Sequence, residues 1–487
     1  MQLPELATPN KVQSIRVNYN TQPTAMALSW MTPEQTAGKK LPYLFSQCES
    51  INCRSVAPLQ DTPAIKTTYS ARVVAKNDFV VKMSANETAV QALNETHNES
   101  FFRCDVRIPS YLMAIVVGDI EYRSLGRRVG VITEPSQMDF VANELESLET
   151  LLDTAENYLT PYIWGNYTVV VLPPSFPFGG MENPLLTFAS PTIIVGDKSQ
   201  VYVATHEIAH SWTGNDVTCR DWENFWLNEG FTVFSERKVS GILHGTDFAK
   251  VEALLGNTTL WSDMNNYGLN NTYSSIHPIL EGDSPDNAFS TVPYEKGFQL
   301  LYYLESLVGE DLFQNFLQTY ILKYSQQSIT TIELRQTWEQ WVHDNFEGAK
   351  INEILSEVDW EVWLNKPELA PVPLDFTTDL SREATSLALE YISLGGESSP
   401  EDKDQYQKFD SNLKTIFYTT LLEHKDECNI AILTKVDADF NSTADPNPEV
   451  KQRWLPLGLG LKYKPAYDPA HDFVSSQGRL KYLTPVY

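Results

Sequence analysis

Over the first 120 or so residues, apolar side chains recur in period-2 and short runs broken by Pro, Asn and Gly, as in Val12 to Val17, Ala71 to Val74, Val80 to Met83 and Tyr111 to Val117. A period of two alternates the faces of an extended chain, so this segment is predicted to be β-rich. The acidic stretch Phe140 to Tyr158 has helical spacing and predicts one amphipathic helix. A strand is expected over Tyr167 to Leu172, then the Pro/Gly loop PPSFPFGGMENP. Helical spacing dominates afterwards, over Val201 to Trp212, Phe225 to Leu243, Tyr294 to Leu307 and Leu312 to Tyr324. Thr330 with Glu333 suits a capping box for the helix holding Trp338. Three prolines in Lys366 to Pro373 mark a linker, and Ser381 to Leu394 and Gln405 to Glu423 read as helices of an all-α end. The pattern predicts an α+β multidomain chain without internal repeats: a β-rich domain (1–120), a catalytic domain (121–365), a Pro-rich linker (366–375) and a helical C-terminal domain (376–487).

The 487 residues fit about three domains of roughly 150 residues. With 36 basic and 63 acidic side chains the net charge is -27, which repels nucleic acid and anionic membranes and suits cationic ligands such as a peptide's amino terminus. No apolar run is long enough for membrane insertion, and the start MQLPELATPNKVQ lacks the signature of a signal peptide. Five scattered cysteines without a CxxC fit a reducing compartment, so a cytoplasmic location is expected; a monomer is expected as well. Seven N-x-S/T sequons (Asn86, Asn94, Asn98, Asn166, Asn257, Asn270 and Asn441) and the missing start leave secretion open.

The strongest chemical signal is His206-Glu207-Ile208-Ala209-His210. Histidines at i and i+4 share a helical face and can grip one zinc ion, while Glu207 beside them is placed to take a proton from an attacking water. A chance HExxH on a surface helix competes with this reading. A catalytic zinc needs a third protein ligand, and Glu229 in WLNEG, nineteen residues after His210 on a second helix, is the candidate. Glu236, two turns further on that face, suits a partner that fixes a histidine tautomer, or else a salt bridge to Arg237 or Lys238.

HEIAHSWTGN followed by WLNEG, with GGMENP upstream, resembles the gluzincin zinc aminopeptidases. The strings TPEQTAGKKLPYLFSQCES, PPSFPFGGMENPLLTFASPT, STVPYEKGFQLLYYLE and QGRLKYLTP, in that order, are similar to the leukotriene A(4) hydrolase and aminopeptidase B branch. The resemblance implies a thermolysin-like catalytic domain with one zinc ion per chain and an armadillo-like C-terminal domain. It implies that Glu182 binds the free α-amino group, with Gly179, Gly180 and Met181 alongside the peptide, and that Tyr294 donates to the oxyanion. Gln47 and Glu49 match substrate-lining positions, with Glu49 replacing the branch's usual glutamine. Arg479 and Lys481 match a basic pair that holds a substrate carboxylate. Asp286 matches an aspartate that directs water in epoxide hydrolysis, although Phe178 and Phe289 stand where tyrosines line that pocket.

Relative to the family, the sequence starts partway through the β-domain and stops just after Arg479 and Lys481, so lost strands and open sheet edges are expected. The reading is a zinc aminopeptidase acting on short peptides with a free N-terminus, di- and tripeptides above all, with epoxide hydrolysis of a lipid as a second activity. The alternative is a truncated peptide-binding scaffold without turnover.

Overall fold

A computed structural model describes residues 14–487. The first region holds β1 (Leu28–Met31), β2 (Tyr43–Ser46), β3 (Lys66–Lys76), β4 (Val80–Met83), β5 (Asn86–Ala92), β6 (His97–Pro109) and β7 (Ile115–Gly118). They form two antiparallel sheets, ordered β1-β2-β7-β4 and β3-β6-β5. The expected run at Val12 begins outside the described residues, and residues 14–17 are not a strand. The run from Tyr111 starts as a 3-10 turn and becomes extended only at β7. Among the described residues β3 and β5 have no strand on their outer sides, and charged side chains such as Lys66, Arg72, Lys76 and Glu87 punctuate these edges. The core of this region does not stop at its own sheets. Tyr43, Phe45 and Val116 join one cluster with Val170, Phe176, Met181 and Phe188, which sets β2 and the segment after it against the next region.

That region contains β8 (Glu121–Ser124), β9 (Val129–Thr133), α1 (Met138–Glu144), α2 (Leu148–Tyr158), β10 (Tyr167–Val171), β11 (Gly180–Met181), β12 (Thr187–Ala189), α3 (Tyr202–Ala209), β13 (Val217–Cys219) and α4 (Trp226–His244). It continues with α5 (Thr246–Tyr267), α6 (Gly297–Val308), α7 (Glu310–Tyr324), β14 (Gln327–Ile329), α8 (Thr331–Asn345), α9 (Ala349–Ser356) and α10 (Trp360–Asn365). Five strands order as β11-β12-β10-β9-β8, with β9, β10 and β12 parallel. The single helix expected over Phe140 to Tyr158 is two. Glu144, within that acidic stretch, is fully buried and accepts backbone N–H groups of Val195, Gly196 and Lys198 at 3.2, 3.0 and 2.9 Å, so the chain turns there. The capping box at Thr330 forms as expected.

Helix α4 is central rather than amphipathic: fourteen of its nineteen residues are buried. Gly230 lets it meet α6 backbone to backbone, since a Cβ there would lie 2.8 Å from Gly297 Cα. Two contacts from the first region hold the turn between α3 and α4. Lys66 Nζ donates to the carbonyls of Asn215 and Asp216 at 3.0 and 2.6 Å, and the Tyr111 hydroxyl donates to Gly214 O at 3.1 Å.

The last region is all helical: α11 (Asp379–Ser393), α12 (Ser411–Glu423), α13 (Ile430–Phe440), α14 (Pro448–Gly460), α15 (Tyr467–Ser476) and α16 (Leu480–Leu483), around their own core. The helix expected from Gln405 begins as a 3-10 turn and restarts at Ser411, because the Asp410 side chain caps it by accepting Leu413 N–H at 2.8 Å. The proline-rich segment is not a free tether. Ala370, Val372 and Leu374 lie against the catalytic core, and Phe376 is buried 5.2 Å, ring to ring, from Tyr302.

Candidate active site

Helix α3 carries His206, and His210 closes it one turn later. Each Nδ1 is engaged: that of His206 lies 2.8 Å from Glu236 Oε2, and that of His210 donates to Thr213 O at 2.9 Å. Both Nε2 lone pairs are thereby turned to one point. The two Nε2 atoms are 3.1 Å apart, and Glu229 Oε2 lies 3.5 and 3.3 Å from them. Tetrahedral zinc with arms of about 2.0–2.1 Å spaces its ligands about 3.3–3.4 Å apart. The three atoms therefore outline one face of a zinc-sized tetrahedron.

Charge points the same way. Oxygens of Glu49, Glu182, Glu207 and Glu229 are buried without a hydrogen-bond partner. Burial lifts the Glu207 carboxyl to about 8, against the pull of His206 and His210, and burial also raises Glu182 and, further, Glu49. At Glu229 burial acts upward as well, but His210 and His206 hold the carboxyl down at about 2. Conversely, burial lowers the His210 imidazole while Glu182 and Glu229 overcome it and lift it to about 9. Unpaired buried carboxylates are costly, and a divalent cation in place of the histidine protons would satisfy them. The residues present fit zinc.

Glu207 faces β11. A Cβ on Gly180 would come within 2.3 Å of Glu207 Oε1, and one on Gly179 within 2.5 Å of Arg479 Nη2. A side chain at either position would push Glu207 or Arg479 aside, so the two glycines let the chain pass between the candidate base and the C-terminal arginine. Glu182 follows, buried, its backbone carbonyl held by Asn215 Nδ2 at 2.8 Å. The first region closes this side: Gln47 Nε2 lies 3.2 Å from Met181 Sδ, and Glu49 converges with Glu182 and Glu229 in one acidic group.

Tyr294 sits in a π turn, Val292–Lys296, just ahead of α6. Its ring stacks on His206 (6.0 Å, 18°) and meets Phe225 and Phe289 edge-on. Burial, with Glu229, Glu49, Glu182 and Glu207 nearby, raises its hydroxyl well above the ordinary value, so it remains a donor. Asp286 lies in an exposed loop and accepts from Ser50 Oγ at 2.7 Å. Phe178 and Phe289 touch at 5.8 Å, giving an apolar wall. Arg479 is buried and donates to the Tyr482 hydroxyl at 3.1 Å, whereas Lys481 pairs with Glu449 at 2.6 Å rather than lying beside Arg479's strand contact. Glu449, the Thr213 carbonyl and Asn215 are contributors that sequence reading missed. Thr213 and Asn215 stand within five residues of His210, a usable signal, but nothing local marks Glu449.

Residues 143–363 match the peptidase family M1 domain, residues 1–112 the peptidase M1 N-terminal domain and residues 409–487 the leukotriene A4 hydrolase C-terminal domain. The chain is 38% identical to leukotriene A-4 hydrolase of Xenopus laevis, covering 100% of this chain and 79% of that protein. It is 35% identical to leucine aminopeptidase 2 of Emericella nidulans, over 98% of this chain and 77% of the relative. Native yeast LTA4 hydrolase superposes with a TM-score of 0.87 at 33% identity, covering 96% of this chain and 76% of that one.

Proposed function

Since the chain belongs to peptidase family M1 and is a zinc metallo-aminopeptidase, we propose that it removes the first residue from short peptides, di- and tripeptides above all. His206, His210 and Glu229 hold the single zinc ion, which when bound supplies Lewis acidity and lowers the pKa of water. Glu207 takes the proton from the attacking water and returns it to the leaving amine. Tyr294 donates to the oxyanion as it forms. Glu182, with Glu49 beside it, receives the substrate's α-ammonium in a charge-assisted hydrogen bond. Gln47, Met181, Gly179 and Gly180 line the peptide, and Glu236 fixes the His206 ring.

The observation that carries this reading is the Gly179-Gly180 strand, flanked by Glu207 on one side and Arg479 on the other. In this reading a bound peptide places its first carbonyl at Glu207 and its carboxylate toward the buried Arg479, which limits its length, while Lys481 is held by Glu449. The test compares a tripeptide with its C-terminal amide and with a pentapeptide. The tripeptide acid should be cut best, and Arg479→Ala should erase its advantage over the amide. Equal cleavage of all three by the parent enzyme would overturn the size preference.

Epoxide hydrolysis of a lipid is a second reading, favoured by Asp286 fixed against Ser50 beside the wall formed by Phe178 and Phe289. Asp286→Asn should abolish diol formation and spare peptidase activity; no diol from the parent removes this reading. We also infer domain boundaries at 120, 365 and 375, a monomeric state and a cytoplasmic location. Five buried, unpaired cysteines support a reducing compartment. Among the described residues no helix is long and apolar enough to cross a membrane.

A further inference from the structure

One buried ion pair joins the metal-holding helix to the tyrosine turn. Arg237 directly follows Glu236 on α4, and Glu295 directly follows Tyr294 in the π turn. Arg237 Nη1 donates to Glu295 Oε2 and Nη2 to Oε1, each at 2.8 Å, forming a two-point fork whose side chains are 8% and 12% exposed. The fork is hemmed in on each side. The guanidinium lies 4.2 Å over the Phe298 ring, and Nη2 also donates to Glu252 O at 3.3 Å. The Glu295 carboxylate rests directly on α5, where a Cβ at Gly256 would come within 2.3 Å of both its oxygens.

A pair this buried is weak evidence for stability, because its desolvation cancels much of its attraction. What a planar fork fixes well is the distance and orientation between two backbones. Here those backbones carry Glu236, which orients His206, and Tyr294, which stacks on His206. The π turn bulges out of regular helical bonding, so its position needs an outside anchor. We propose that Arg237 and Glu295 are positioning residues whose fork sets the Tyr294 hydroxyl against the metal-holding face. The pair supports the step in which the oxyanion forms and leaves substrate binding unaffected. This inference rests on Tyr294 being the oxyanion donor.

The test is a double-mutant cycle on tripeptide hydrolysis by the zinc-loaded full chain. A shift of about 1 Å in a reacting group costs on the order of 100-fold, so Glu295→Gln should lower kcat by roughly 10- to 100-fold, with KM and zinc content within about twofold of the parent. In a Tyr294→Phe background the same change should add nothing. An unchanged kcat in Tyr294→Phe alone would remove the oxyanion-donor reading itself. A drop in Tyr294→Phe, followed by an equal further drop on adding Glu295→Gln, would overturn the positioning role and leave that reading intact. Gly256→Ala is the second variant: it keeps both charges, introduces a better helix former and displaces only the carboxylate. A folded Gly256→Ala enzyme with parental kcat would also overturn the proposal.

Discussion

Gly230→Ala inserts one methyl group where α4 and α6 touch. The added Cβ would sit 2.8 Å from Gly297 Cα, 2.9 Å from its carbonyl carbon and 3.3 Å from Phe298 N. Carbon atoms rest at about 3.5–4.0 Å, so α6 must retreat by roughly 0.7–1.2 Å. Overpacking of this kind costs about 1–3 kcal/mol, offset by about 1 kcal/mol from alanine's better helix propensity. The protein should therefore stay folded with a slightly lower Tm. Activity should suffer far more, because Glu229 precedes Gly230 on α4 and Tyr294 lies just ahead of α6. A misplacement of about 1 Å is worth on the order of 100-fold, or about 2.7 kcal/mol of barrier. Steady-state hydrolysis of a free tripeptide, with Tm and zinc content measured on the same sample, checks this. Expected are a kcat reduced roughly 10- to 100-fold, near-parental KM and one zinc ion per chain. Full kcat in a folded Gly230→Ala protein would refute the reasoning that this contact sets the site.

Glu236→Gln should weaken zinc affinity by roughly 10- to 100-fold, read by titration against a chelator; unchanged affinity would count against its role at His206. Glu182→Gln should lower kcat/KM for free peptides by roughly 10- to 150-fold, the worth of a charge-assisted hydrogen bond, while an N-acetylated peptide should be cut no worse than before. At Glu449 burial acts upward, but Lys481 and Arg453 hold the carboxyl well below its ordinary range. Its folded pKa is thus below its unfolded value, so its contribution is complete above about pH 4.3 and is lost as pH falls below that. The Tm gap between the parent and Glu449→Gln should narrow from pH 5 toward pH 3, and a constant gap would contradict the assignment.

The convergence of His206, His210 and Glu229 was partly legible because each pair is local. His206 and His210 share one turn, and Glu229 and Glu236 are two turns apart on a second helix, so spacing groups each pair but not the one pair with the other. Contacts that cross regions carry no such period. Nothing in the spacing of Glu49, Gly179 or Arg479 indicates that they meet one site; only the family resemblance suggested it. Helix lengths were misjudged where a single side chain overrode the pattern. Glu144 leaves an acidic stretch to bind three backbone N–H groups, and Asp410 starts a new helix inside a stretch read as one continuous helix. Arg237 and Glu295 look like ordinary surface charges in sequence, yet both are buried because α5 covers them.

The most direct test of the account is hydrolysis of a free tripeptide beside its N-acetylated form, by the zinc-loaded parent and by Glu207→Gln. The account predicts that only the free peptide is cut, and only by the parent, with both proteins holding one zinc ion. Cleavage of the acetylated peptide at a similar rate, or full activity in Glu207→Gln, would contradict it. So would a folded, zinc-loaded parent that cuts neither peptide, which would mark the chain as a binding scaffold.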